Sequence, residues 1–151
     1  MLNLAGVALG LVWSVVVVWL PHWLDPPFIP APVAVPLAMI APGLVMIGMI
    51  SVLALRRFLA EGEAPSAGAV FSQGVLTETV THLVLALVVW PFVANSLGGA
   101  VVLAMGFGFA LARLMSWAGA YLWAPLRWFG FASTFFPTVI TAVWSVIAWS
   151  G

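Results

Sequence analysis

Residues 98–123 read GGAVVLAMGFGFALARLMSWAGAYLW, a long apolar stretch in which Arg113 is the only charged side chain. A helix needs about 20 mainly apolar residues to cross the hydrocarbon core of a bilayer, which is about 30 Å thick. The stretch meets that length, and it lacks the alternation of apolar and polar residues that marks a strand of a membrane β-barrel. It therefore predicts a transmembrane helix.

Four further stretches are apolar over a similar length, and they cover residues 2–20, 36–59, 71–94 and 131–149. Hydrophobic residues make up 65% of the chain and charged residues 5%, against about 45–50% and about 25% in soluble domains. The sequence thus predicts an all-α integral membrane protein with five spans and no soluble catalytic domain. The first stretch does not end at a cleavage site of small residues, so it is interpreted as a retained helix and not as a signal peptide.

The composition excludes several kinds of chemistry. The chain has no cysteine and no lysine, which removes thiolate ligands, a thiol nucleophile and Schiff-base chemistry. The formal net charge is zero, so nucleic acid is not an expected partner. His22 and His82 lie far apart in the sequence without a carboxylate cluster near them, and no metal site is expected.

Polar and proline-rich stretches predict the connections between the spans. Residues 21–36 contain six of the eleven prolines and are interpreted as an extended surface loop. Residues 60–69 are interpreted as a polar, turn-rich loop. The links at residues 95–99 and 124–130 are short, which predicts that the third, fourth and fifth helices are antiparallel neighbours.

Basic residues predict the orientation in the membrane. With five spans, Arg56, Arg57 and Arg127 fall on one side, which the positive-inside rule makes the cytoplasmic side. The N-terminus would then be cytoplasmic and the C-terminus outside, in a bacterial inner membrane. Tryptophans are assigned to the membrane boundaries on the same basis, with Trp19, Trp23, Trp90 and Trp149 at the outer one and Trp123 and Trp128 at the inner one.

Small residues recur every fourth position in the fourth span and form a stripe along one helix face. Small residues let helix backbones approach closely in lipid, where no hydrophobic force drives helices together. The stripe either packs within the subunit or forms an oligomer interface. Its members are Ala100, Ala104, Gly108, Ala112, Ser116 and Ala120, and the first span has a shorter version in Gly6, Gly10 and Ser14.

Glu78 and Arg113 are ionisable residues placed inside apolar spans. Both lie roughly 10–15 Å from the inner end of their helices, at 1.5 Å per residue. A lone charge at that depth costs about 2.5–3.5 kcal/mol or more, so the two side chains are predicted to form an ion pair. The pair either locks helix packing or belongs to a polar ligand site. His82 lies one turn beyond Glu78 on the same face.

The residues around Arg113 resemble a motif of the MAPEG family, the membrane-associated proteins in eicosanoid and glutathione metabolism. Residues 112–121 read ARLMSWAGAY, and they are followed by Ala124-Pro125-Leu126-Arg127 and Gly130-Phe131. In that family an Arg, a Tyr and a Pro-x-Arg link lead into the last helix. Upstream, Glu78 resembles the glutathione-site Glu of the family, and Arg56 or Arg57 the basic end of its first helix.

The resemblance implies a divergent bacterial-type member with two parts. Residues 36–151 would form a four-helix MAPEG-like membrane domain, and residues 1–35 an added N-terminal transmembrane helix with a Pro-rich loop. The expected partners are the lipid bilayer and either further copies in a homotrimer or other membrane subunits. Glutathione would be the cofactor, bound by Glu78, Arg56, Arg113 and Arg127, with Arg113, Tyr121 and Arg127 as catalytic residues.

Two functions follow from this resemblance and from the positions at which the sequence departs from the family. The first is a glutathione-dependent transferase or peroxidase that acts on lipophilic electrophiles. The second is a non-catalytic accessory or structural subunit of a larger membrane complex, because the family's Asn and two arginines before the Glu are replaced by Val75, Gly74 and Phe71. A small transporter or channel is a third interpretation, disfavoured by the scarcity of polar residues in the spans.

Overall fold

The computed structural model describes residues 2–60 and 67–150, without the side chains of residues 2, 120, 121 and 124. Within those ranges the chain forms five α-helices and no strands. All five are long and apolar enough to cross a membrane, which confirms the all-α class and the number of spans and suits a lipid bilayer. The helices are α1 (Leu2–Leu24), α2 (Ala31–Leu59), α3 (Ala67–Ser96), α4 (Gly99–Leu122) and α5 (Ala124–Ser150).

The α4 helix lies at the centre of the bundle. It contacts each of the other four helices and is the most buried of the five. The α1 helix packs most extensively on α5 and also contacts α4, whereas α2 packs on α4 and α3. Among the described residues, α1 contacts neither α2 nor α3. The fold therefore places α1 and the α2–α3 pair against different sides of α4 and α5.

Glycines allow α1 and α5 to approach closely. A Cβ atom added at Gly10 would lie 2.5 Å from the Cβ atom of Ala132 and 2.9 Å from the carbonyl oxygen of Phe129. A Cβ atom at Gly6 would overlap the carbonyl oxygen of Pro125. The small-residue face predicted in α1 therefore packs inside the subunit, on the backbone of α5, as expected where helices associate through van der Waals contact.

The small-residue stripe of α4 also lies largely within the chain. Gly108 faces the side chain of Val17 on α1, and Ser116 lies against Gly130 on α5. Ala112 and Ser116 are fully buried, whereas Ala100 and Ala104 are half-buried. The intrasubunit interpretation therefore holds for the part of the stripe from Gly108 to Ser116. The side chain of Ala120 is outside the described residues.

Two predicted connections are wrong in extent. Residues 21–36 were expected to form an extended loop, but α1 runs through Pro21 to Leu24 and α2 begins at Ala31. Pro32 lies in the first turn of α2, where a proline is tolerated because the N–H that it lacks would have no partner within the helix.

Residues 124–130 were expected to be a link, but they are the first two turns of α5. A single extended residue, Trp123, separates α4 from α5. The predicted loop at residues 60–69 falls mostly outside the described residues.

The predicted position of Trp90 is also wrong, because this residue does not mark a membrane boundary. Only 1% of its surface is exposed, and its indole nitrogen donates a hydrogen bond to Thr138 Oγ1 at 3.2 Å. A buried Trp needs a partner for its N–H, and a helix neighbour supplies it here. Trp23 and Trp149, by contrast, are strongly exposed, and Trp19, Trp123 and Trp128 are each about half exposed.

Candidate functional site

Glu78 on α3 and Arg113 on α4 form the predicted ion pair within one chain. Glu78 Oε2 lies 3.6 Å from Arg113 Nη1. The Arg113 side chain is completely buried, whereas 28% of the Glu78 side chain is exposed. The pair connects neighbouring antiparallel helices, and each charge supplies the counter-charge that the other needs in an apolar span.

Two further polar side chains hold the guanidinium of Arg113 on its other side. Arg113 Nη2 donates to His82 Nδ1 on α3 and, at 2.6 Å, to Thr134 Oγ1 on α5. Because Nδ1 accepts this hydrogen bond, we assign His82 as the neutral tautomer with its proton on Nε2. Thr134 Oγ1 lies 3.0 Å from the carbonyl oxygen of Gly130, one turn earlier in α5. One guanidinium thus joins α3, α4 and α5.

Arg127, in the first turn of α5, reaches the same carboxylate from the more exposed side. Its Nη2 atom lies 3.4 Å from Glu78 Oε1. Its guanidinium carbon lies 5.0 Å from the centre of the Phe71 ring, within the range of a cation–π contact. The Arg127 side chain is 45% exposed. Glu78 therefore lies between a buried guanidinium and an accessible one.

The cluster has a positive charge in excess. Two guanidiniums face one carboxylate, and His82 is neutral in the assigned tautomer. Among the described residues, Arg113 Nε and Nη1 and Glu78 Oε2 have no hydrogen-bond partner. The 3.6 Å between Nη1 and Oε2 is too long for a hydrogen bond. Buried polar groups are normally hydrogen-bonded, to protein or to another molecule. The excess positive charge is accessible on the side of Arg127, whose side chain is partly exposed, and an anionic group can approach it there.

Ser72 and Trp117 lie beside the cluster, toward the end of the bundle where α4 ends and α5 begins. Trp117 Nε1 donates to Ser72 Oγ at 3.3 Å and links α4 to α3. Ser116, the neighbour of Trp117 in the chain, lies against Gly130. Gly130 is needed there, because a Cβ atom at this position would overlap the Ser116 side chain and lie 2.8 Å from the Ala112 carbonyl oxygen.

The structure brings together three of the residues predicted for the site: Glu78, Arg113 and Arg127. Arg56 is exposed in the last turn of α2. Tyr121 is in the last turn of α4, and its side chain is outside the described residues. Within the described ranges, no group of three or more His, Asp or Glu side chains is placed to hold a metal ion.

Thr134 is the site residue that sequence reasoning missed. A signal for it exists, because Thr134, Thr138, Thr141 and Ser145 follow one another at helical spacing in α5, and all four are buried. A polar stripe in an apolar span faces other helices rather than lipid.

Comparisons of the chain with family models, with curated proteins and with solved structures found no match. The likeness to the MAPEG family therefore rests on the sequence motifs around Glu78 and Arg113 alone.

Proposed function

We propose that this chain is a MAPEG-like membrane enzyme that uses glutathione to modify lipophilic electrophiles. The observation that carries the proposal is the meeting of Arg113 and Arg127 at the Glu78 carboxylate, with N–H groups of Arg113 left without a hydrogen-bond acceptor among the described residues. The proposed architecture is a four-helix core of α2 to α5 with α1 added against α5, assembled as a homotrimer.

The charges of the cluster complement those of glutathione. The tripeptide carries two carboxylates and one ammonium, a net charge of minus one before its thiol ionises. Two guanidiniums and one carboxylate have the opposite excess. Arginine binds carboxylates through paired hydrogen bonds, so the accessible Arg127 suits a glutathione carboxylate, while Glu78 suits the ammonium. A guanidinium near the sulfur would also favour the thiolate over the thiol.

The reaction would be an attack by the glutathione sulfur on an electrophile that arrives from the bilayer. A carbon–sulfur bond forms, the leaving group departs with its electron pair, and the thiol proton passes to water. Arg113, Tyr121 and Arg127 are the residues proposed to stabilise the thiolate, and Arg56 is a further candidate for binding. Arginine keeps its proton in proteins, so the arginines act through charge and hydrogen bonds and not as bases.

Calorimetry on detergent-purified protein tests the proposal. Glutathione at millimolar concentration should release or absorb heat on binding, and Glu78→Gln and Arg113→Leu should abolish the signal. Thermal unfolding of each variant checks that it is folded. If Arg113→Leu does not fold, Glu78→Gln still decides, because Glu78 is partly exposed. No heat and no thermal shift for the native chain would overturn the proposal.

A second candidate is a non-catalytic accessory subunit, and the enclosure of Arg113 favours it. The guanidinium is completely buried and donates hydrogen bonds to His82 and Thr134. These contacts are expected of a structural residue that fixes the packing of three helices. In this case the native membrane should yield the chain together with other subunits. Its purification as an isolated homo-oligomer without overexpression would count against this role.

A further inference from the structure

A groove of about 390 Å³ runs between α2 and α3, on a different face of α3 from the Glu78 cluster. At its open end Arg57 donates from Nη2 to Gln73 Oε1 at 3.1 Å, which holds the guanidinium at the mouth of the groove. Beyond this polar mouth the walls are formed mainly by apolar side chains. These are Ile50, Leu53 and Ala54 from α2 and Leu76 and Val80 from α3.

The two threonines of the groove do not make its walls polar. Thr77 Oγ1 lies 3.0 Å from the carbonyl oxygen of Gln73, and Thr81 Oγ1 lies 2.9 Å from that of Thr77. Each hydroxyl donates back to the helix one turn earlier and so satisfies its hydrogen bond within α3. The groove therefore has one cationic end and otherwise offers a surface suited to hydrocarbon.

The dimensions of the groove match one leaflet of a bilayer. From Gln73 to Thr81 the groove follows α3 for about 12 Å, at 1.5 Å per residue. One leaflet of hydrocarbon is about 15 Å deep, half of a core of about 30 Å. Arg57 lies in the last turn of α2, where a guanidinium reaches the headgroup level and its stem stays in the apolar region.

We propose that this groove binds an anionic phospholipid of the surrounding bilayer. The headgroup phosphate accepts hydrogen bonds from Arg57, and one acyl chain lies along the groove between α2 and α3. Basic pockets between transmembrane helices recognise anionic headgroups in this way. The charge at one end and the length of a single leaflet favour a lipid over a second copy of the chain. The lipid site is independent of the proposed function, because none of the residues proposed to bind glutathione lines the groove.

Native mass spectrometry of the detergent-purified full chain tests the lipid site. The protein is mixed with equal amounts of phosphatidylglycerol and phosphatidylcholine that carry the same acyl chains. The native chain should retain phosphatidylglycerol about fivefold better, the change expected for one arginine near an anionic headgroup. Arg57→Gln should remove this preference. Arg56→Gln removes the same charge from the adjacent residue, which does not line the groove, and should keep the preference for phosphatidylglycerol.

A second pair of variants tests the acyl-chain part of the site. Ala54→Phe places a ring in the groove and should reduce the retention of both lipids. Ala118→Phe, at an exposed alanine of α4 outside the groove, should not. Equal retention of the two lipids by the native chain, or equal effects of the Arg56 and Arg57 variants, would overturn the proposal. A change of oligomeric state with Ala54→Phe at unchanged lipid retention would also overturn it, in favour of a second copy as the occupant.

Discussion

Arg113 on α4 donates a hydrogen bond to His82 on α3, deep within the apolar part of the bundle. The contact turns a predicted pair into a network, because the same guanidinium also reaches Glu78 and Thr134. In an apolar span such a network fixes how three helices pack, since neither partner can find water as a substitute.

The His82–Arg113 contact predicts a measurable coupling energy. A double-mutant cycle with His82→Leu and Arg113→Leu should give a coupling of about 1 kcal/mol, the scale of hydrogen bonds between transmembrane helices. The measurement is the free energy of unfolding in detergent micelles. Asn95→Leu combined with Arg113→Leu is the control, because Asn95 lies near the other end of the bundle and its effect should be additive. Additive effects for His82 and Arg113 would contradict the contact.

Arg127 should matter more for ligand binding than for stability. Its side chain is 45% exposed, so Arg127→Gln should lower the free energy of unfolding by less than about 1 kcal/mol. Loss of a charged hydrogen bond should weaken glutathione binding about tenfold or more. Calorimetry measures the affinity and thermal unfolding the stability. Arg57→Gln, which removes an exposed arginine from α2, should leave glutathione binding unchanged; an equal loss there would point to general charge and not to the site.

The close approach of α1 and α5 predicts a penalty for bulk at Gly10. Gly10→Val would place atoms inside the contact distance of Ala132 and Phe129, and overpacking of this kind costs about 1–3 kcal/mol. Gly43→Val is a matched control in α2, because a Cβ atom there meets nothing within 4 Å. Thermal unfolding in detergent should show a lower midpoint for Gly10→Val only. Equal midpoints for the two variants would contradict the α1–α5 packing.

The absence of cysteine allows a direct test of the predicted orientation. Asp25→Cys precedes α2 and Ala60→Cys follows it, and both positions are exposed. With a cytoplasmic N-terminus, a membrane-impermeant maleimide added to intact cells should label Asp25→Cys alone, and permeabilised cells should show labelling at both positions. The reverse pattern would show the opposite orientation, and labelling of both in intact cells would contradict a spanning α2.

Apolar length was enough to predict the helices but not their ends. All five spans follow from runs that lipid would stabilise, whereas the ends depend on the local backbone. Proline reads as a helix breaker, yet Pro32 lies in the first turn of α2 and Pro21, Pro36 and Pro42 are accommodated inside helices. The break between α4 and α5 is signalled by Pro125, which suits the first turn of a helix, but the break consists of one extended residue, Trp123, and not of the longer link that was predicted.

The ion pair could be predicted because two charges at equal depth in adjacent spans have few other partners. The remaining contacts depend on helix rotation, which periodicity leaves undefined when nearly every residue is apolar. For this reason the sequence does not distinguish a boundary position of Trp90 from a buried one. Thr134 differs, because the Thr and Ser residues at helical spacing mark the buried face of α5. A Trp at the right depth suits a headgroup region and a packed interior equally well, and only the position of Thr138 decides between them.

The extensive contact between α1 and α5 has a consequence for biogenesis. Of the five helices α1 is translated first, yet the helix on which it packs most is the last of the five. Until α5 is synthesised, α4 is the one described helix that α1 can contact, and the glycine face that packs on α5 has no helix against it. The bundle can therefore close around α1 only after α5 has been synthesised.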